Sequence, residues 1–192
     1  KHEDYKYKRW VWDGKGFLCD DSSYDCRMTA MWVPYGAEVT YGTGYTANVR
    51  WTNKTITEIP EVCDFNDTAN MMRFAQDCEN LVKCAVLNCQ KKGHAEYAFD
   101  GCVNLENMPL SPTNCNITHA MYMFRNCVKL TGEYTIKMQS VMDIGGMFYG
   151  SGIKGFDFVD AQLSAIPTED TVQNSAVESL KGLNFSFIAT SA

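Results

Sequence analysis

Long apolar runs are missing from this sequence, and so are the short motifs that mark common enzymes. No uninterrupted stretch of about 18 apolar residues occurs, so no membrane-spanning helix is predicted. G-x-S-x-G, H-E-x-x-H, the phosphate-binding P-loop and Cys-x-x-Cys are absent as well. The sequence therefore predicts neither a transmembrane protein nor an enzyme, and it predicts no cofactor.

Positive charge is also in short supply. The 192 residues contain 17 Lys and Arg against 23 Asp and Glu, which gives a formal net charge of −6. Nucleic acids and anionic membranes repel a chain of this charge, so neither is expected as the main partner. The partners that remain are proteins, copies of the chain itself among them, and glycans.

The most prominent feature that is present is an internal repeat. The segment Phe124-Arg-Asn-Cys127-Val-Lys-Leu130 nearly repeats the upstream segment Phe99-Asp-Gly-Cys102-Val-Asn-Leu105. Equal steps outward from these two copies reach Cys78 and Ser151 in weaker copies. A fifth copy is predicted at Val177-Glu-Ser-Leu180-Lys-Gly-Leu183, which makes the last interval longer than the others. A period of about 24 to 25 residues indicates a solenoid, whose units bury their apolar faces by stacking.

Each copy is expected to form one coil from a short strand and a short helix. The pattern L-x-x-L-x-L, which is typical of leucine-rich repeats, is matched around Ile59, Leu110 and Phe158. Large apolar residues at helical spacing precede each Cys position. The predicted helices are Ala69 to Asp77, His94 to Asp100, His119 to Arg125, Met142 to Tyr149 and Thr171 to Ser179. The predicted fold is an α/β solenoid of about five coils over residues 52–192.

These motifs resemble the BspA-type leucine-rich repeats. The resemblance is carried by Ile-Pro after a strand, Asn-Asp-Thr-Ala-Asn-Met before a helix, and Met-Phe-x-x-Cys-x-x-Leu after that helix. It covers residues 56–187, and the Met-Phe pair is intact at Met123-Phe124 and Met147-Phe148. The resemblance implies a bacterial or protist surface protein or a phage virion protein, and it implies no catalytic residues.

Residues 1–51 are predicted to form a β-rich N-terminal arm and cap. Charged residues alternate with the aromatic residues Tyr5, Tyr7, Trp10 and Trp12, which favours an extended strand. That strand is interpreted either as the edge of the cap or as an arm that adds to the sheet of a neighbouring copy. Glu38 to Tyr41 and Tyr45 to Trp51 are predicted to form a hairpin that covers the first coil.

The nine cysteines fall into two groups. The repeat positions Cys78, Cys102 and Cys127 suit buried free thiols. The candidates for disulfides are a local pair, Cys19 and Cys26, and a column of three evenly spaced residues, Cys63, Cys89 and Cys115. Neighbours in that column should lie about 5 Å apart, which a disulfide can span. Disulfides would favour an extracellular setting.

Four Asn-x-Ser/Thr sequons give independent support for secretion. They begin at Asn53, Asn66, Asn116 and Asn184. The first three lie at predicted turns beside strands or helix starts, where a glycan could project into solvent, and the fourth lies on a predicted strand. The alternative interpretation is that Asn and Thr serve as turn and cap residues.

One group of residues has the composition of a metal site. His94 and His119 are one repeat apart and should stack on successive coils, with Cys89 and Cys115 just upstream. Two sulfur and two nitrogen ligands could bind Zn²⁺, although helix starts beside a disulfide explain the same residues. No metal is therefore predicted, and these four residues remain the weak candidate.

Taken together, the sequence predicts a non-enzymatic, glycosylated extracellular protein. It would be a surface or filament-forming subunit that self-associates through its N-terminal arm and its solenoid ends. An adhesin that binds host protein or glycan, or a phage virion receptor-binding protein, are the alternatives.

Overall fold

A parallel β-solenoid of about four turns, with nearly no helix, forms the body of the protein. The computed structural model describes residues 10–12, 17–19, 37–41, 47–59, 69–161 and 169–183. Within that part of the chain, no helix has the length and hydropathy that crossing a membrane requires. The predicted solenoid is confirmed.

Short strands line one side of the coils and pair from one coil to the next. The described strands are β1 (Trp10–Trp12), β2 (Phe17–Cys19), β3 (Ala37–Tyr41), β4 (Ala47–Trp51), β5 (Glu58–Ile59), β6 (Ala69–Asn70), β7 (Lys83–Cys84), β8 (Leu87–His94), β9 (Leu110–His119), β10 (Gly132–Lys137), β11 (Ile153–Val159) and β12 (Ser179–Lys181). Parallel pairs join β5 to β7, β8 to β9, β10 to β11 and β11 to β12.

The other side of the coils includes four complete turn segments, residues 71–78, 95–102, 120–127 and 144–151. Their amides alternate between two kinds of partner. Phe124 N donates to Met147 O in the next coil at 2.9 Å, whereas Met123 N donates back to Ala120 O at 3.1 Å and Cys127 N donates back to Phe124 O at 3.2 Å. Each turn segment is therefore tied both to itself and to its neighbour, which satisfies its buried backbone without a helix.

The helix predicted for each coil is wrong. An α-helix needs a negative φ at every residue and hydrogen bonds to the fourth residue back. The backbone hydrogen bonds that stay within a turn segment reach only the third residue back. Each segment holds two four-residue turns, and the third residue of each turn has a positive φ. These φ values are +58° at Arg73 and Tyr97, +54° at Tyr122, +60° at Gly146, +59° at Asp77, +77° at Gly101, +61° at Asn126 and +64° at Gly150.

The physical reason for this error is the spacing of the large apolar residues. Met123 and Phe124 fit a helix face, but they fit successive tight turns equally well, because such turns also return the chain to the core every three or four residues. A single 3-10 turn, Glu169–Thr171, is the helical element of the described residues. Leucine-rich repeats with one helix per coil are therefore not what the chain forms.

The register of the last coil also differs from the prediction. Gly150 N donates to Gln173 O, and Gly155 is the Cα partner of Ser179, so the last interval is no longer than the one before it. Ser175, and not Leu180, occupies the position that corresponds to Ser151. The prediction of a longer last interval was wrong. Leu180 resembles a repeat leucine in sequence, but it lies in β12, opposite Phe156.

Aromatic rings and thiols stack along the interior of the solenoid. The rings of Phe99 and Phe124 are nearly parallel, with centroids 5.8 Å apart. The thiol of Cys127 donates to Phe99 O of the preceding coil at 3.1 Å, and Cys102 makes the same bond to Ala75 O. The buried free thiols predicted at Cys78, Cys102 and Cys127 are confirmed. The thiols of Cys102 and Cys127 also link one coil to the next.

In the N-terminal part, the described strands form two antiparallel pairs, β1 with β2 and β3 with β4. β3 and β4 pair antiparallel from Ala37 and Trp51 to Tyr41 and Ala47, which confirms the predicted hairpin. β4 also pairs in parallel with β6, and Trp51 N donates to Phe74 O, so the ladder of the coils continues into the hairpin. The hairpin therefore lies against the first turn segment. The predicted boundary between residues 51 and 52 stays a prediction.

Candidate functional site

Two histidines from successive coils stack at the ends of β8 and β9. His94 and His119 are Cα partners in the parallel ladder. Their rings are nearly parallel, with centroids 4.4 Å apart and an interplanar angle of 6°. The stacking predicted from their spacing is confirmed.

Hydrogen bonds define the tautomer of His119. The hydroxyl of Thr118 donates its one proton to Gly93 O at 3.0 Å, and His119 Nδ1 lies 3.0 Å from the same hydroxyl oxygen. The oxygen must therefore accept from His119, and Nδ1 carries the proton. In the neutral ring Nε2 then holds the free lone pair.

Glu96 lies beside His94 on the adjoining turn segment. His94 Nδ1 is 2.9 Å from Glu96 Oε1. The side chain of His94 is 46% exposed, whereas that of Glu96 is only 14% exposed. The second carboxylate oxygen, Oε2, is buried and has no hydrogen-bond partner among the described residues. A buried acceptor without a partner is costly, so this oxygen is poised for a cation or a donor.

The three side chains form a compact group of metal-ligand type. One possible ligand atom from each of His94, Glu96 and His119 lies within 4.8 Å of the others. Of the four residues weighed as a zinc site, the structure brings together the two histidines and leaves Cys89 and Cys115 outside that group. Cys89 Sγ instead contacts Met71 Sδ in the core at 3.6 Å.

Next to the histidines, tyrosine and arginine side chains form a second stack. The rings of Tyr97 and Tyr122 are 5.3 Å apart. The guanidinium of Arg125 lies 4.8 Å from the Tyr122 centroid and 5.5 Å from that of Tyr97, within the range of cation–π attraction. The guanidinium of Arg73 lies 5.6 Å from the Tyr97 centroid. We call Arg73, Tyr97, Tyr122 and Arg125 the tyrosine–arginine ladder.

A buried carboxylate holds one end of this ladder. Arg125 Nε and Nη2 donate to the two oxygens of Asp100 at 2.8 and 2.7 Å, and Gln76 Nε2 donates to the same carboxylate at 3.1 Å. Asp100 is 3% exposed. The hydrogen bond to Asp100 raises the pKa of Arg125, and the two-point geometry fixes the guanidinium against the tyrosine rings.

The column of predicted disulfide residues is only partly described. Cys89 and Cys115 are Cα partners in β8 and β9, and both are buried free thiols, so the disulfide expected between them is not formed. A hydrogen bond with Cys115 and then burial raise the pKa of Cys89 well above its ordinary value, which keeps the thiol protonated. Of Cys19 only the backbone, in β2, is described. Cys26 and Cys63 lie outside the described residues.

The four sequons also divide between described and undescribed residues. Asn53 is exposed, and its Oδ1 accepts from both the amide (3.0 Å) and the hydroxyl (2.8 Å) of Thr55. Asn116 is half-buried in β9 and accepts from Gln139 at 3.2 Å. Asn66 and Asn184 lie outside the described residues. Asn53 is therefore the more accessible of the two described acceptors.

The aromatic arm is described only in its last residues. Trp10 and Trp12 belong to β1, which pairs antiparallel with β2 of the same chain, opposite Cys19 and Phe17. Tyr5 and Tyr7 lie outside the described residues. The role of this arm in self-association stays a prediction.

Sequence reasoning missed Glu96, Asp100, Arg125 and both tyrosines of the ladder. The signal was present, because Tyr97 and Tyr122, like Asp100 and Arg125, are separated by the same interval as Cys102 and Cys127. Extending the repeat spacing to polar positions would have predicted these contacts.

No protein-family model matches this chain, and no curated protein or solved structure matches it either. Its function therefore has to be inferred from the geometry of its own residues.

Proposed function

We propose that this protein is a non-enzymatic extracellular structural and interaction protein, a glycosylated surface or filament-forming subunit. The observation that carries the proposal is the tyrosine–arginine ladder. Tyr97 and Tyr122 place large, half-buried rings at backbone positions with a positive φ, where Gly146 stands in the next coil. A non-glycine residue pays about 1 kcal/mol or more for that conformation, so the rings occupy these positions despite a backbone cost.

The ladder has the properties of a recognition surface. Its rings repeat at the spacing of the coils, and the bidentate bond to Asp100 holds Arg125 in place before any partner binds. Tyrosine and arginine are the residues that dominate the energetics of interfaces, and preorganised side chains lose little entropy on binding. Stacked coils with such a face suit the binding of proteins or glycans.

Self-association would use the parallel ladder itself. Each coil donates amide protons to the next, so a second chain can continue the same pattern at a solenoid end. Head-to-tail contacts of this kind close into rings only where the rotation between neighbouring chains allows it. Otherwise they give open filaments. The predicted arm, with Tyr5, Tyr7, Trp10 and Trp12, would add a further strand.

One feature supports an extracellular location. The exposed Asn53 sequon presents its amide at a turn in which Thr55 contacts the acceptor side chain. A surface protein related to the BspA-type repeats remains part of the proposal, with an adhesin or a phage receptor-binding protein as its alternatives.

Electron microscopy of the full chain, produced by secretion, tests the proposal together with intact-mass measurement of the same sample. We expect regular fibres and added hexose mass, with the added mass lost in Asn53→Gln and largely kept in Asn116→Gln. Dispersed particles without added mass would contradict both the filament and the glycoprotein.

A second experiment separates recognition by the ladder from general surface adhesion. Binding of Tyr97→Leu and Tyr122→Leu to an array of glycans and host proteins should fall at least tenfold relative to the unchanged chain. Tyr134→Leu, which removes a half-buried tyrosine from β10, is the matched control and should bind normally. Equal binding by all three variants would remove the ladder from the proposal.

A further inference from the structure

We propose that His94, Glu96 and His119 form a binding site for a divalent transition-metal ion of the Zn²⁺ class. The site joins one imidazole nitrogen from each of two coils to one carboxylate oxygen. It does not depend on the function proposed above, because its evidence is the geometry of these three side chains alone.

The ligand atoms are already close to the arrangement that a metal needs. One atom from each side chain lies within 4.8 Å of the others, and His94 Nδ1 is only 2.9 Å from Glu96 Oε1. Ligand atoms that share one Zn²⁺ at about 2.1 Å lie roughly 3.4 Å apart in a tetrahedral site. The group therefore needs side-chain adjustment and no movement of the backbone ladder.

The required adjustment falls on the more exposed side chain. An imidazole lone pair lies in the plane of its ring, so two parallel rings cannot both point at one ion. His94 is 46% exposed and can turn out of the stack, whereas the Nδ1 proton of His119 is held by Thr118, which leaves Nε2 to bind. When His94 binds the ion through Nδ1, the proton that Nδ1 held towards Glu96 moves through solvent to Nε2, so the ring stays neutral.

An independent observation points to a cation at the same place. Glu96 Oε2 is buried without a hydrogen-bond partner among the described residues. The Glu96 side chain thus has a buried oxygen without a partner in the same group as two imidazoles, an environment that a positive ion would satisfy. The net charge of −6 also favours the approach of cations over anions.

The ligand types decide the class of ion. Two imidazoles and one carboxylate suit Zn²⁺, Co²⁺, Ni²⁺ or Cu²⁺, whereas Ca²⁺ and Mg²⁺ prefer oxygen ligands alone. Three protein ligands leave the fourth position of a tetrahedral ion open to water. The half-exposed setting of His94 leaves that position accessible from solvent.

Calorimetric titration of the full chain with Zn²⁺ tests the site, in the presence of a non-chelating reductant. We expect a single strong site whose affinity falls roughly 10–100-fold or more in His94→Ala, in His119→Ala and in Glu96→Gln. Asp143→Asn is the matched control, because Asp143 occupies the next position of the same column but lies outside the group of three. Its affinity should equal that of the unchanged chain.

Cobalt spectroscopy separates this site from the cysteines. Co²⁺ bound by nitrogen and oxygen should give weak visible bands without an intense sulfur-to-metal charge-transfer band, and Glu96→Gln should change them. An intense charge-transfer band that survives His94→Ala would assign the metal to thiolates and overturn the proposal. Equal Zn²⁺ affinity in all variants, or no binding to the chain at micromolar Zn²⁺, would also overturn it. Circular dichroism shows whether each variant retains the fold.

Discussion

The turn segments and the strands of this solenoid obey different rules. The four turn segments keep one register, so that the residues at Cys78, Cys102, Cys127 and Ser151 superpose coil after coil. The strands do not. β8 and β9 have 8 and 10 residues, and their pairing shifts register three times between Leu87 and His94.

This difference follows from how each side satisfies its backbone. In a turn segment alternate amides bond within the segment and to the next coil, and two residues per segment need a positive φ. An extra residue would misplace every later bond. A strand that shifts register loses only the bonds at the bulge, and the pairing resumes beyond it. The turn segments therefore set the period, and the strands absorb changes in length.

Two variants, one with an alanine inserted into a turn segment and one with an alanine inserted into a strand, should show the largest difference between the two sides of the coils. Between Met123 and Phe124 the insertion turns buried rings outward, so we expect loss of cooperative folding in circular dichroism. Between Lys91 and Lys92 it falls in a bulge where the pairing of β8 with β9 is already irregular, and we expect a loss of no more than about 2 kcal/mol. A folded first variant would show that the turn segments do not set the period.

Removing one ring from the interior stack should have the next largest effect. Phe124→Ala deletes a side chain that is 0% exposed and leaves a cavity beside Phe99, so the free energy of unfolding should fall by about 3–5 kcal/mol. Tyr134→Ala on the strand side, where the ring is half-buried, should cost about half as much or less. Urea denaturation of the two variants measures both values, and equal losses would contradict the difference between the sides.

A single methyl group on the turn side tests the close approach between coils. In Gly146→Ala the new Cβ would lie 2.1 Å from the Tyr122 ring, at a residue whose φ is +60°. We expect a loss of about 2–4 kcal/mol, from overpacking and from the unfavourable φ. Adding Tyr122→Ala should remove the overpacking part of that loss. Gly155→Ala in β11, where no positive φ is required, should cost less, and the urea midpoints of these variants measure each difference.

The pH dependence of stability should reveal the buried thiols of the turn segments, Cys102 and Cys127. Burial raises the pKa of Cys127 above its ordinary value of 9.0, so the folded chain keeps a proton that the unfolded chain releases. Its contribution to stability is complete below about pH 9 and is lost as the pH rises further, by about 1.4 kcal/mol per pH unit.

Urea denaturation in reductant at pH 8 and pH 10 tests this dependence. Between the two pH values, the free energy of unfolding should fall less in Cys127→Ala than in the unchanged chain. The difference should be the contribution that the Cys127 thiol makes. The same pH dependence in both chains would mean that Cys127 does not stay protonated in the folded state. Cys102→Ala should behave in the same way, because burial also raises the pKa of Cys102.

How far the sequence could predict the fold depends on which residues are considered. Phe99 and Phe124, each followed three residues later by a cysteine, revealed the solenoid and its period, because a stacked interior needs the same apolar residues at each level. The same residues could not distinguish a helix from two tight turns. Tyr97 and Tyr122 stand at positions with a positive φ, where composition gives no warning of a left-handed backbone.

The candidate site shows the same division. The stacking of His94 and His119 followed from their spacing in the sequence. The neighbour that completes the site, Glu96, did not follow from the spacing, because it has no counterpart one repeat away and its contact with His94 depends on the path of the turn segment after β8. The predicted partners, Cys89 and Cys115, face the core instead, where Cys89 meets Met71.

The sequence alone determined that this chain stacks similar coils at a regular period around an interior of phenylalanine and cysteine, since that pattern can be read without knowing the backbone. Only the tertiary structure decided what each coil is made of and which polar side chains meet on its surface. The physical reason is that contacts between coils, and not local propensity, bring these side chains together: the pairing of β8 with β9 stacks His94 on His119, and the turn segment that follows β8 places Glu96 beside His94.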